Sequence, residues 1–429
     1  MDLSVEDGLV LTPDGVVEAD VGVQDGRIEE VGSVEDADRR LDAGGCVVVP
    51  GLVNAHTHAS MSLLRGYADD LPLDVWLEDH IWPVESQLTA DDVETGARLA
   101  AAEMVAGGTT AFADMYFHMD RVAAAVDDAG LRATLGYGVI TAGKTKEEAR
   151  RELREGVEFA VEHDGAADGR VSTMLCPHAP YTCDDESLEE AARLAREHGL
   201  RLHVHLSETA SEVEDSVEDN GVRPPEHLDS LGFFDGDVYV AHGVHLDADD
   251  RGLLAERDVG VAHCPSANAK LASGVAPVTE MLDAGVDVAI GTDGPASNND
   301  LDVLEETRLA ALLAKLETGD ASALPAETAL EIATEGGAGL LGLDSGAIEP
   351  GRPADLAVVD LDAPHLTPAH DVVSHLVYSA SAADVVHTVV DGRVLYEDGV
   401  HLSLDVDDVV SRANDAAAAL VERAEAEGS

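Results

Sequence analysis

Short apolar segments alternate with alanine-rich amphipathic segments between about residues 51 and 344, and this repeat constrains the fold more than any other feature. Seven of the apolar segments have the length of buried strands, and they span residues 110–113, 133–137, 171–175, 202–205, 238–241, 259–262 and 286–290. An eighth strand is expected before His56, where the apolar run 46–49 leads into the repeat. Eight β/α units of this length predict a (β/α)8 TIM barrel. A doubly wound sheet is the alternative, but no G-x-G-x-x-G motif follows the first strand.

The two ends of the chain differ from this middle part. Residues 1–50 predict short strands joined by hairpin turns, and residues 345–429 predict further strands followed by a surface helix. We therefore predict that residues 1–50 and 345–429 form the two parts of one small β-sandwich. The barrel is expected to occupy residues 51–344.

The charge balance is strongly acidic. The chain has 86 Asp and Glu against 26 Lys and Arg, a formal net charge of -60, yet it is 45% hydrophobic. A disordered chain would be less hydrophobic. Self-repulsion at this charge destabilises a compact state in dilute salt, and molar salt screens it. We interpret the chain as a protein adapted to a salt-rich, halophilic cell, and the lack of a basic patch argues against nucleic-acid binding.

The four cysteines are far apart in the sequence and form no C-x-x-C pair. Free thiols are the expectation for a chain of this length inside a cell. The first residues do not resemble a secretory leader, and no apolar run approaches the roughly 20 residues of a membrane span. These features predict a cytoplasmic protein without a membrane segment.

Histidine or aspartate follows six of the predicted strands. These residues are His56, His58, His178, His203, His205, His242, His263 and Asp293. The carboxyl ends of barrel strands meet at one face, where active sites lie. Buried ionisable groups need partners, so packing alone does not explain this set.

Three imidazoles and one carboxylate can hold a single divalent ion with a position left open for water. His56 and His58 are two residues apart, so on a strand they project from the same face. His205 is nearer its strand end than His203 and is expected as the third ligand, with Asp293 as the fourth. His203 is expected to be a buried histidine beside the ligands. Zinc is the expected ion, and iron shares these ligands.

Three residues are candidates for moving protons at this site. Asp293 can accept a proton from bound water through its second oxygen, and Glu208 can act as a proton shuttle. His242 can stabilise developing negative charge or orient the water. The structural alternatives are that Glu208 is an acid near the start of the next helix and that Asp293 is a turn residue.

Several segments together resemble the amidohydrolase superfamily, in particular the methylthioadenosine/S-adenosylhomocysteine deaminase group. The matching segments are PGLVNAHTH at 50–58, PHAPYTC at 177–183, HVHLSET at 203–209, HCPSANAKLASG at 263–274, GTDGPASNN at 291–299 and GRPADL at 351–356. The resemblance extends over nearly the whole chain. It implies a (β/α)8 barrel with a β-sandwich built from both termini, and one metal ion held by His56, His58, His205 and Asp293.

The resemblance also implies the substrate contacts. Glu85, which follows Trp82 and Pro83, matches a position that binds ribose, while His178 and Glu208 match contacts to the nucleoside and Asp293 lies at the reacting centre.

Some members of the group hold the amino-acid carboxylate of S-adenosylhomocysteine with arginines after the third strand. This chain has Lys144 and Lys146 there and no arginine before Arg150. That departure favours methylthioadenosine, 5′-deoxyadenosine or adenosine over S-adenosylhomocysteine, and it leaves open whether a lysine replaces the arginines.

The predicted reaction is hydrolytic deamination of an adenine nucleoside to the inosine analogue and ammonia. The enzymatic alternative is hydrolysis of another N-heterocycle: guanine, cytosine, oxoguanine or a chlorinated triazine. A metal-free scaffold is the non-enzymatic alternative, although loss of catalysis usually removes ligands and all four are present. The partner is expected to be a small nucleoside, and a homo-oligomer remains open.

Overall fold

The computed structural model describes residues 1–141 and 143–427. Eight parallel strands pair in chain order to form a nearly closed barrel, which confirms the predicted fold class. In chain order, barrel strands 1 to 8 are Leu52–Thr57, Thr109–Tyr116, Arg132–Val139, Val171–Pro177, Arg201–Leu206, Val238–His242, Gly260–His263 and Val288–Ile290.

Hydrogen bonds just beyond barrel strand 8 join it to strand 1. The N–H of Asp293 donates to the carbonyl of His56 at 3.0 Å, and the Thr57 hydroxyl donates to the carbonyl of Asp293 at 2.9 Å. The Asn54 side chain accepts from the Thr292 N–H at 3.0 Å and donates to the Thr292 hydroxyl at 2.7 Å. These contacts place Asp293 beside His56.

The apolar run 46–49 and His56 lie on different strands, which differs from the sequence prediction, and His58 follows the strand of His56. Cys46–Pro50 belongs to a seven-stranded sheet outside the barrel, and barrel strand 1 begins only at Leu52. Gly51 makes this close crossing possible, because a Cβ there would lie 2.1 Å from the Thr110 hydroxyl oxygen. Both strands are buried along their whole length, so hydrophobicity alone does not separate them.

Helices connect the strands and cover the outside of the barrel. Helix Ala90–Ala106 shows why these segments are helical. Thr89 and Asp92 form a capping box at its start, and Ala97, Ala100 and Met104 lie buried on its inner face.

The helices of the described residues have the following bounds, given in chain order within each group. The longer helices are Ala90–Ala106, Met119–Ala129, Lys146–His163, Asp185–His198, Ala210–Asn220, Pro224–Ser230, Ala248–Glu256, Pro265–Lys270, Val278–Ala284, Val303–Thr318, Ala326–Ile332, Glu335–Leu341, Val372–Tyr378 and Val406–Glu427. The shorter α-helical segments and the 3₁₀ and π segments are Ala59–Leu64, Leu73–Val75, Trp76–Ile81, Trp82–Glu85, Ala166–Gly169, Phe233–Asp235 and Ala382–Asp384. Within residues 1–141 and 143–427, no helix has the length and apolar composition that a bilayer crossing requires.

Strands from both ends of the chain form two further sheets. The four-stranded sheet has the order Arg27–Gly32, Asp20–Gln24, Leu3–Glu6, Arg39–Asp42. The seven-stranded sheet has the order Val400–His401, Arg393–Glu397, Val385–Val390, Leu356–Asp360, Cys46–Pro50, Leu9–Thr12, Gly15–Glu18. Residues of both sheets, among them Val5, Val23, Val48 and Val358, share one apolar cluster, as expected of a small β-sandwich. The domain boundaries at residues 50 and 345 stay a prediction.

Candidate active site

Side chains from four barrel strands or the turns after them converge at the carboxyl end of the barrel. His56 Nε2 lies 3.5 Å from Asp293 Oδ1, and His58 Nε2 lies 3.3 Å from the same oxygen. His205 Nε2 lies 3.3 Å from His58 Nε2. One ring nitrogen of each of His56, His205 and His242 falls within 4.8 Å of the others. The structure therefore brings the four predicted ligands together, with His242 beside them.

Hydrogen bonds behind two of these rings fix their tautomers. His58 Nδ1 lies 2.6 Å from the carbonyl of Met115, and His205 Nδ1 lies 2.6 Å from the carbonyl of His178. A carbonyl only accepts, so both Nδ1 atoms donate, and in a neutral ring Nε2 then carries a lone pair. Two lone pairs facing each other at 3.3 Å repel unless a cation lies between them.

His203 is the buried histidine that the sequence predicts beside the ligands. Its Nδ1 donates to the carbonyl of Tyr239 at 3.1 Å, so its Nε2 accepts from His56 Nδ1 at 2.8 Å. His56 Nε2 is thus a lone pair, buried and without a hydrogen-bond partner among the described residues. Leaving such an atom unpaired costs about 1–3 kcal/mol. Three imidazoles and a carboxylate in this state fit zinc or iron.

Asp293 is held as an ionised carboxylate. Its Oδ2 accepts from the Ser297 hydroxyl at 2.6 Å, while Oδ1 faces the imidazoles. Burial by itself raises the pKa of Asp293, but His56, His58 and His242 outweigh it and hold the pKa well below its usual range. The group is therefore ionised at neutral pH, with Oδ1 available to a cation between the imidazoles and Oδ2 bonded to Ser297.

Glu208 and His242 form an acid–base pair over the ligand cluster. Glu208 Oε2 lies 3.7 Å from His242 Nε2, and His242 Nδ1 lies 2.9 Å from Asn268 Oδ1. Burial raises the pKa of Glu208. Burial lowers the pKa of His242, but Glu208 and Asp293 reverse this, so the pKa is raised overall. Both directions favour the protonated form, so each of these side chains is a candidate proton donor.

Three residues beside the cluster have left-handed backbone conformations. Their φ angles are 51° at Ser207, 73° at His242 and 61° at Asp293. Such angles cost non-glycine residues on the order of 1 kcal/mol each and persist where surrounding structure fixes them. Residues at or just after the ends of strands 5, 6 and 8 thus keep strained backbone conformations where the side chains converge.

Comparison with known protein families identifies the family of this chain. Residues 47–395 match the amidohydrolase family. The chain belongs to the amidohydrolase family. The resemblance inferred from the sequence motifs is confirmed.

Three similar proteins extend over almost the whole amidohydrolase. A 5-methylthioadenosine/S-adenosylhomocysteine deaminase of Natronomonas pharaonis is 54% identical over 426 residues, which is 99% of each chain. A 5′-deoxyadenosine deaminase of Methanosarcina acetivorans is 48% identical over 431 residues, 99% of this chain and 100% of that protein. The crystal structure of a zinc-bound adenosine deaminase from Xanthomonas campestris has a TM-score of 0.92 and 39% identity, covering 98% of this chain and 99% of that one.

A cavity opens above the ligand cluster of this amidohydrolase. Aromatic and apolar side chains line most of it, including Trp76, Trp82, Tyr116, Phe117, Tyr181, Leu73, Leu77, Ile140 and Leu271. Both tryptophans of the chain are in that set. The wall between Leu73 and Glu85 contains a π-helix, Trp76–Ile81, which the sequence analysis did not predict. π-Helices are rare and occur frequently at functional sites.

The predicted substrate contacts also reach this cavity. Glu85 lines the wall, and the Tyr116 hydroxyl donates to its Oε1 at 2.5 Å. Burial raises the pKa of Glu85 to about 7, although the Tyr116 bond opposes this. His178 lines the wall with its ring centroid 4.6 Å from that of His205, and burial lowers its pKa to about 3. A neutral imidazole and a carboxylate or carboxylic acid are thus available to polar groups of a ligand.

Lys144 and Lys146 lie outside the cavity. The Lys144 ammonium pairs with Glu152. Lys146 pairs with Glu186, which also binds Arg150 at 2.7 Å. In the described part of the chain, no lysine or arginine lines the cavity.

Some residues at the site were not predicted from the sequence, namely Asn268, Ser297, Tyr116 and Glu212. Asn268 and Ser297 lie inside motifs 263–274 and 291–299, so the motifs were the available signal. His263 is the reverse case, since it ends strand 7 as predicted but does not line the cavity.

Proposed function

We propose that this amidohydrolase deaminates adenine nucleosides hydrolytically, giving the inosine analogue and ammonia. The observation that carries the proposal is the Glu208–His242 pair, 3.7 Å apart, above a cluster of three imidazoles and one ionised carboxylate. The names of the relatives support the same reaction, because they are deaminases of adenine nucleosides.

His56, His58, His205 and Asp293 would hold one divalent ion, for which zinc is our first choice. The facing lone pairs of His58 and His205 and the unpartnered His56 Nε2 support this ligand set. Zinc in the Xanthomonas campestris structure supports the choice of ion, with iron as the alternative. A bound ion would supply a water molecule whose pKa is lowered toward neutrality.

Two residues around the ion would move protons, and a third would stabilise the charge of the adduct. Asp293 is ionised and accepts a proton from the attacking water. Glu208 delivers a proton to a purine ring nitrogen, which makes C6 electrophilic. The water oxygen adds to C6, and His242 stabilises the adduct. Asp293 then passes its proton to the amine, the bond from C6 to the protonated amine breaks, and the hydroxyl of the adduct returns a proton to Glu208 as the C6 carbonyl forms. One water is consumed and one ammonia is released, with both acids back in their starting states.

Glu85 is proposed to bind the ribose hydroxyls. Hydrogen bonds to a charged group contribute about 1.5–3 kcal/mol, so Glu85→Ala is expected to raise the KM for methylthioadenosine by about 10- to 100-fold. The KM for 2′,3′-dideoxyadenosine should change little, because the hydroxyls are missing. Steady-state kinetics on both substrates measures the difference.

Asp79→Ala is the matched control, since Asp79 is an exposed acid on the same wall segment. An equal loss with the dideoxy substrate would show that Glu85 shapes the wall without contacting the ribose.

The 5′ end of the substrate is proposed to be uncharged. The cavity lacks lysine and arginine among the described residues, so the carboxylate of S-adenosylhomocysteine has no cationic partner there. We expect kcat/KM for methylthioadenosine and 5′-deoxyadenosine to exceed that for S-adenosylhomocysteine by about 10- to 100-fold. Loss of adenine absorbance, followed in molar salt for four nucleosides including adenosine, measures the ranking. Equal values would contradict the 5′ preference, and no turnover of any of them would contradict the function.

The other heterocycles are less favoured than adenine nucleosides. A free base such as guanine has no ribose for Glu85, and the relatives reported above are named for adenine nucleosides. We also propose a cytoplasmic location in a salt-rich cell, which is consistent with four free, buried cysteines and a net charge of -60. Assembly into a homo-oligomer stays a prediction.

A further inference from the structure

A second buried glutamate holds the turn that carries Glu208. Glu212 Oε1 accepts from the N–H of Ser207 at 2.8 Å, and its Oε2 accepts from the N–H of Glu208 at 2.8 Å. Only 7% of Glu212 is exposed, so water competes poorly for these two bonds. Both oxygens of one carboxylate are therefore used on consecutive backbone groups.

Ordinary helix capping does not require this arrangement. Glu212 is the third residue of helix Ala210–Asn220, and its N–H donates to Thr209 Oγ1 at 3.1 Å. In a capping box the third residue reaches back to the N–H of the capping residue. Glu148 does so with Thr145 at 2.9 Å. Glu212 instead reaches past Thr209 to the two residues before it.

The turn that Glu212 holds has a strained backbone and is hydrogen-bonded to the segment after His242, the partner of Glu208. Ser207 has a φ of 51°, which a serine keeps only under external constraint. The carbonyl of Ser207 accepts from the N–H of His245 at 2.9 Å, and the carbonyl of Leu206 accepts from Gly243 at 3.1 Å. The backbone of Glu208 is thus fixed both by Glu212 and by the segment that follows His242.

We propose that Glu212 is a positioning residue that holds Glu208 where it can pass a proton to the substrate. The inference rests on the proposed function, in which Glu208 carries that proton. Glu212 does not line the catalytic cavity itself, and the N–H groups of Ser207 and Glu208 occupy both of its carboxylate oxygens, so it acts through Glu208 and not on the substrate. A misplacement of about 1 Å can cost on the order of 100-fold in rate.

Glu212→Ala removes both acceptors and is expected to lower kcat for methylthioadenosine by about 10- to 100-fold. The affinity for the product should change less than about threefold, because no product contact is lost. Tryptophan fluorescence measures that affinity directly, since Trp76 and Trp82 line the cavity. Glu212→Gln keeps the volume of the side chain but turns an amide donor toward one of the backbone N–H groups. It should also lower kcat with little change in product affinity, and it serves as the test if the alanine variant does not fold.

A double-mutant cycle separates positioning from general stabilisation. If Glu212 acts through Glu208, then Glu212→Ala should reduce kcat no further in a Glu208→Gln background. Glu148→Ala is the matched control, because it removes the third-residue glutamate of another helix far along the chain. That control should lower the melting temperature without lowering kcat.

Two results would overturn the inference. One is a Glu212→Ala enzyme with kcat within twofold of the wild type. The other is a full, multiplicative loss in the Glu208→Gln background, which would mean that Glu212 acts on something else. A wild-type enzyme that deaminates no adenine nucleoside would contradict the proposed function itself and is distinguishable from both.

Discussion

Asp293→Asn is expected to lower kcat for methylthioadenosine by about 1,000- to 10,000-fold, the upper range for loss of a general base. The amide keeps the size of the side chain but has only one acceptor oxygen. In the wild-type protein, Asp293 Oδ1 faces His56 and His58, and Oδ2 accepts a hydrogen bond from Ser297. The variant should also hold less than one zinc per chain after dialysis, measured by elemental analysis alongside steady-state kinetics.

Asp287→Asn is the control for this substitution. Asp287 is exposed and precedes barrel strand 8 at the opposite end from the site. It should keep full activity and full zinc content. An Asp293→Asn enzyme with near wild-type kcat and stoichiometric zinc would show that Asp293 is needed neither to hold the metal nor to accept the proton.

Transfer from about 3 M to about 0.1 M KCl is expected to unfold a large fraction of the protein. With a net charge of -60, repulsion within the folded state is long-ranged when the Debye length is about 10 Å, and it is screened when that length falls to about 3 Å or less. The free energy of unfolding of a typical protein is only about 5–15 kcal/mol, so unscreened repulsion of that size is enough to unfold the chain. Circular dichroism melts across a salt series measure the effect.

A non-ionic osmolyte provides the comparison for screening. Sucrose is excluded from the protein surface and favours the compact state without screening charge. It should therefore restore less stability than KCl at the same osmotic strength. A melting temperature that stays within a few degrees between 0.1 M and 3 M KCl would contradict the interpretation of the charge as a salt adaptation.

The barrel and most of its site could be predicted from the sequence because both depend on local patterns. Apolar segments at regular spacing give the strands, and parallel strands bring their carboxyl ends to one face. His56 and His205 lie near the carboxyl ends of such strands, and His58 and Asp293 follow shortly after them, so the barrel topology brings all four together. The different positions of His203 and His205 along strand Arg201–Leu206 agree with their different contacts, since His203 Nε2 bonds to His56 Nδ1 and His205 Nε2 faces His58 Nε2.

Other features depend on contacts between distant segments, which local patterns do not encode. The run 46–49 and strand Leu52–Thr57 are equally apolar, and only the packing of Gly51 against Thr110 shows that they belong to different sheets. Lys144 was a candidate for the substrate carboxylate by its place in the sequence. Its pairing with Glu152 could not be predicted, since side-chain direction and local charge decide it.

Glu212 is a similar case within a single helix. Its place at the third position of a helix predicts a capping acid, and the bond from its N–H to Thr209 fits that role. Its carboxylate instead bonds to the N–H groups of Ser207 and Glu208, in a turn where Ser207 has a left-handed backbone that the sequence does not reveal. Side chains that position a catalytic group are therefore harder to predict than the group itself.

The central claim is tested most directly by the stoichiometry of the reaction with methylthioadenosine in molar KCl. We predict one ammonia and one inosine analogue for each nucleoside consumed, by protein that holds one zinc per chain. Removal of the metal by a chelator should stop turnover, and added zinc should restore it. Protein with one zinc per chain that releases no ammonia from any adenine nucleoside would contradict the account.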